Sequence, residues 1–245
     1  MSAFASERRK LATTRTTAGL GAALIGIVTL AAVVHILGFR TPMIDDPAEQ
    51  RSILTDIGVS MGLVFAAISG SLAITTEFRH GTIRPTLLKH PDRTTLLAAK
   101  LATQSLIGAI LGVAATSYAV GLTAVFLRAR GLALELDAGQ ILRLVAGAGL
   151  GGAGFAAGGL AIGTIVRNQV PVVVGLLIWT LFIENLLRAG VPSIGRFAPG
   201  SLARAIAVDG PAAIASPAVA VAVLALAAAG CLVAARATFT RRDIA

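Results

Sequence analysis

Residues 76–100 read TEFRHGTIRPTLLKHPDRTTLLAAK. This is the one long polar insert that carries both signs of charge and repeated turn signals between two strongly apolar runs, 57–74 and 101–127. Its local pattern is legible. Helix continues out of the first run through Thr76, Glu77, Phe78 and Arg79. His80-Gly81 then breaks it, because glycine takes the left-handed conformation at a helix end without strain. Pro85 opens a short helical turn bearing Thr86, Leu87 and Leu88. His90-Pro91 is a second break, and Asp92 is placed to cap the next helix, with Thr95 at its third position. The pattern predicts helix end, turn, short amphipathic element, turn and new helix.

Outward from this insert the chain is written for a bilayer. It is 56% hydrophobic and only 13% charged, with mean hydropathy +0.83, whereas soluble domains carry about 25% charged residues. Apolar runs of spanning length fall at 18–39, 57–74, 101–127, 141–166, 170–187 and 217–235. The first exceeds the core of a signal peptide, about 7–15 residues, and lacks a small-residue cleavage site, so it reads as a retained span. These runs predict an all-α polytopic membrane protein with six transmembrane helices in a single domain, 1–245.

Thirteen of the 21 Lys and Arg residues, including all three lysines, fall on the side holding both termini and residues 76–100. The positive-inside rule therefore puts both ends and that insert in the cytoplasm, and the membrane is expected to be the cytoplasmic one. The net charge of +9 is read as topology and not as a nucleic-acid footprint. Residues 6–17 suit a short amphipathic helix in the headgroup layer. The middle of the 188–216 loop, 201–208, suits a short interfacial or re-entrant helix.

Chemistry-bearing constellations are scarce. The chain has no GxxxxGK[ST] phosphate loop and no HExxH pair, so nucleotide hydrolysis and metal-assisted hydrolysis are not expected of it. His80 and His90 read as loop residues and not as metal ligands. Cys231 is the single cysteine, a packing residue in an apolar run. Apart from His35 and Arg143 near span ends, Glu184 is the one charge-bearing side chain within the spans, and Arg188 four residues on is placed to neutralise it. The pair reads as an anchor at the outer interface or as the polar mouth of a pathway. In 141–166, Gly147, Gly151, Gly154 and Gly158 recur at spacings of three and four, a pattern for helix packing.

The run Glu77-Phe78-Arg79-His80-Gly81-Thr82-Ile83, followed by Leu87-Leu88, Pro91, Arg93 and Ala99-Lys100, resembles the loop of bacterial type-2 ABC (ATP-binding cassette) exporter permeases. Ser6-Glu7, Lys10-Leu11, Thr14-Arg15, Glu184, Phe197-Ala198-Pro199-Gly200 and Arg241-Arg242-Asp243 are weaker echoes. The resemblance implies a six-span, non-catalytic permease subunit that pairs with a second permease, a copy or a different chain, and with separate ATPase subunits. Those subunits would hold the ATP and Mg, with no cofactor on this chain. It also implies that Glu77, Phe78, Arg79, Gly81, Thr82 and Arg84 couple this chain to the ATPase. The cargo class stays open among drug, antibiotic, lipid and peptide. A membrane sensor or resistance component of the same architecture, or a stand-alone carrier, is the alternative. The near absence of midplane charge speaks against the carrier.

Overall fold

The computed structural model describes residues 15–35, 46–89, 92–208 and 216–241, and among them all regular structure is helical. The elements are α1 (Arg15–Val33), α2 (Pro47–Arg79), α3 (Ile83–Lys89), α4 (Arg93–Ala129), α5 (Ala138–Val166), α6 (Gln169–Gly190), α7 (Pro192–Gly195), α8 (Pro199–Ala207) and α9 (Pro217–Arg241). Five of these, α2, α4, α5, α6 and α9, are long and apolar enough to cross a membrane. In α1 the apolar part is the shorter Ala18–Val33. The rest of the expected first span, 36–39, and nearly all of the expected amphipathic segment 6–17 lie outside the described residues. The chain is a multi-pass helical membrane protein.

Local chemistry sets the helix ends. Asp46 accepts from the Ala48 N–H at 3.0 Å and Pro47 occupies the first turn, so α2 starts far ahead of the apolar run. Residues 47–56, expected as loop, are therefore helix, and they bury Gln50, Ile53 and Leu54. The Thr55–Val59 turn of α2 is π-helical, and the Ser60 hydroxyl donates to the Thr55 carbonyl across it at 3.0 Å. Asp92 caps α4 as its sequence predicts, accepting from the N–H groups of Thr94 and Thr95. Asp137 and Gln140 form a reciprocal capping box on α5. The short helix expected within 201–208 is α8, whose Leu202, Ala203, Ala205 and Ala207 are buried.

The bundle is built around α2, α4 and α5. Burial takes 67% of the most apolar stretch of α2 and 56% of that of α5, but only 11% in each of α6 and α9. The central three approach to backbone contact. A Cβ on Gly70 would collide with the Ala156 carbonyl, and one on Gly159 with the Ala67 carbonyl. Gly108 and Gly152 exclude a Cβ from each other reciprocally, and Gly112 lies against Ala148. Lipid supplies no hydrophobic effect between helices, so this close packing is the main attraction available.

Two cores result. One, toward the far end, gathers Val28, Leu54, Ile57, Leu63, Leu127 and Leu144. The other, at the 76–100 end, gathers Ile74, Ile83, Leu96, Leu97, Leu160 and Phe239.

Gly70→Ala and Gly159→Ala are each expected to cost about 1–3 kcal/mol, since a methyl group must push one backbone off another. Gly121→Ala, which meets open space, is expected to be neutral. Thermal unfolding in detergent reads this directly, and wild-type midpoints for both Gly70→Ala and Gly159→Ala would show that the approach is not as close as described.

Candidate functional site

At the 76–100 end, α2 turns through Gly81, at φ +67°, into the two-turn helix α3. Ile83, 2% exposed, plugs α3 into the core, and Leu87 packs beside it. Leu88, 87% exposed, points away. Arg79, His80, Gly81 and Thr82 form the exposed rim of the same turn.

Beneath the rim lies an ion pair. The Lys100 ammonium of α4 donates to Glu77 Oε1 of α2 at 2.8 Å. Lys100 is 1% exposed and Glu77 8%. Ion pairs withdrawn from water hold only where both members are present, since a lone buried charge is costly. Toward the membrane interior the same α2–α4 seam continues in a second polar contact, Ser69 Oγ donating to Gln104 Oε1 at 3.2 Å.

The expected coupling residues have separate places. Glu77 belongs to the seam. Phe78 lies under the Arg167 guanidinium, 5.2 Å from ring centroid to Cζ, within cation–π range. Arg79 donates to Gln169 Oε1 at 3.4 Å. Gly81 makes the turn, Thr82 is exposed, and the side chain of Arg84 is outside the description. Arg167 itself sits at φ 59°, the one non-glycine residue with positive φ among those described. It also donates to the Thr238 carbonyl at 3.2 Å, and Arg93 donates to the Phe239 carbonyl at 3.0 Å. The end of α2, the 167–169 turn and the last turns of α9 are thus tied into one platform behind α3.

At the α4 entrance, the Thr95 hydroxyl and the Thr95 and Thr94 N–H groups hold the Asp92 carboxyl below its ordinary range. A lowered carboxyl stabilises the fold above the ordinary value, and that contribution is lost as the pH falls through the lowered one.

At the far end, Glu184 is 5% exposed and does not take Arg188 as partner. It accepts from Trp179 Nε1 at 2.8 Å and from the Gly200 N–H at 3.1 Å. Arg188 donates to Asn185 Oδ1 instead. The reason is the π-helical turn Trp179–Ile183 directly before Glu184, together with the arrival of α8. Gly200 is in the first turn of α8, so a carboxylate from α6 sits at the positive end of another helix. Arg204, further along α8, is bonded to Asp56 of α2 at 2.7 Å. Both ends of α8 are thereby fixed to spans.

The glycines of α5 divide in two. Gly147 meets Ala207, and Gly151 meets Leu63 and Ala203. Gly154 and Gly158, grouped with them by spacing, meet nothing. They face a cavity of about 410 Å³ between α5, α6 and α9.

No family model matches the chain, and no curated protein matches it.

Sequence reasoning missed the Glu77–Lys100 pair, although a lone lysine at the mouth of an apolar run was a signal for a buried partner. It also missed the Trp179 and Gly200 contacts of Glu184, which no spacing rule reaches. Lys100→Met is expected to lower stability by up to about 3–5 kcal/mol, because the buried Glu77 carboxylate loses the ammonium bonded to it at 2.8 Å. Glu77→Gln/Lys100→Met together should recover most of the loss. A double-mutant cycle of unfolding midpoints checks this, and simple additivity would show that the two do not act as a pair.

Proposed function

We propose that this chain is a six-span permease subunit of an ATP-driven exporter in the cytoplasmic membrane, with both termini and α3 in the cytoplasm. α1 belongs to the sixth span. The chain works with a second permease and with ATPase subunits that bind ATP and Mg, and it performs no catalysis itself. The support is the resemblance of residues 77–100 to type-2 exporter permeases, joined to one structural observation. α3 is anchored by buried Ile83 yet turns Leu88 and the Arg79–Thr82 rim outward. That is the form of an element that docks on a partner and transmits displacement. The platform behind it reaches α2, α4, the 167–169 turn and α9, so a push on α3 is shared among several spans.

Glu77 is a poor probe of this role, since its loss also breaks the buried bond to Lys100. Gly81→Val is the cleaner one. A Cβ there would meet no neighbour, but φ +67° strains any residue with a branched Cβ. In the purified complex we expect Gly81→Val to keep the partner bound while cutting transport at least about tenfold, equivalent to about 1.4 kcal/mol of lost coupling.

The first test is purification of the tagged full chain from its own cells in mild detergent. A stoichiometric subunit with a GxxxxGK[ST] loop is the expected result. Its repeated absence, with the permease folded, would end the exporter reading.

A further inference from the structure

The cavity between α5, α6 and α9 has features that the transport proposal does not use. Its wall is almost wholly apolar, built from residues such as Gly154, Gly158, Gly175, Leu224, Ala228 and Trp179. Three of these are glycines on two different helices, and a Cβ on any of them would meet nothing within 4 Å. Glycine inside a helix weakens it relative to alanine. Where α2, α4 and α5 meet, by contrast, such glycines admit a neighbouring backbone. Here they admit no part of the described chain, only space.

The space is open to the side. α6 packs on α2 and α5, while α9 packs on α5 and α8, and α6 and α9 make at most marginal contact with each other. Lining residues stay open through that gap: Ile162 is 36% exposed, Val166 46% and Trp179 40%. These helices are membrane spans by length and composition, so what borders the gap is the bilayer.

Its dimensions fit one occupant. Val166 and Pro171 line the end beside the 167–169 turn, and Trp179 and Pro199 line the other. From Gly154 to Val166 the wall runs about 18 Å along α5. The hydrocarbon of one leaflet is about 15 Å deep, half of a core of about 30 Å. The volume also lies in the range of ligand sites, about 300–1,000 Å³. No charged residue lines the groove, so it recognises a hydrocarbon chain and no polar group.

We propose that this groove is a resident lipid site. It holds one acyl chain of a membrane lipid from the leaflet nearest the 167–169 turn, with the headgroup at that turn and the chain end toward Trp179. The site completes the packing of α5, α6 and α9, and it stands independently of the transport reading.

Trp179 is the only tryptophan in the chain, so its fluorescence reports on this groove alone. The full-length protein is placed in bilayer nanodiscs with rising fractions of a phospholipid brominated near its chain ends, which quenches indole on contact. Wild type is expected to show a steep component at low bromolipid fraction, from preferential occupancy, above the shallow quenching by bulk lipid. Gly158→Leu on α5 and Ala228→Phe on α9 fill the groove from opposite sides and should each lose the steep component. Gly121→Leu, also facing open space but outside the groove, should keep it. Coincident curves for wild type and both filled variants would overturn the proposal. So would loss of the steep component in Gly121→Leu, since the effect would then not belong to the groove. Use of two filled variants on separate helices keeps the test decisive if one fails to assemble.

Discussion

How closely the backbones of α2, α4 and α5 approach one another governs the rest of this molecule. Helices in lipid gain little from burying apolar surface, because the solvent is apolar too. They gain from contact, and contact here is made by glycine against carbonyl: Gly70 on Ala156, Gly159 on Ala67, Gly108 on Gly152. With no side chains between them, these helices form a stiff central unit. The Glu77–Lys100 pair and the Ser69–Gln104 bond lie in one of its seams. Polar groups there are tolerable because their partners are held in reach by the packing on either side.

The peripheral helices obey a different rule. α6 and α9 are mostly bare and are fixed by a few specific bonds and not by long seams. α6 is joined to α8 by Glu184, which satisfies both the Trp179 indole and the start of α8. α9 is tied at its far turns by Arg93 and Arg167 reaching its carbonyls.

Much of this was legible in the sequence, because helix ends are decided locally. Asp92 and Gly81 act through neighbours two to four residues away, and a reader of the chain sees those neighbours. The short helix α8 was legible from its prolines and its small apolar length. What failed did so for nonlocal reasons. Residues 47–56 look like an acidic loop, yet one cap and one proline turn them into helix that the core then rewards. Glu184 and Arg188 have the right spacing to pair, but a π-helical turn and an incoming N-terminus offer the carboxylate better donors. Gly154 and Gly158 share a spacing with Gly147 and Gly151 but not a neighbour. Spacing fixes which residues share a face, and only the arrangement of other helices fixes what that face meets.

Gln50, fully buried near the start of α2, donates to the Ala133 carbonyl at 3.0 Å and accepts from the Glu135 N–H at 2.8 Å. A single amide thus does for the α4–α5 connection what a partner strand would do in a sheet, satisfying one donor and one acceptor of an extended segment. The connection looks like surface loop and would ordinarily be a first choice for inserting a tag or an epitope. Because the amide fits one register of that backbone, lengthening the segment by even one residue would swap which groups face it. This stretch is therefore the wrong place to engineer.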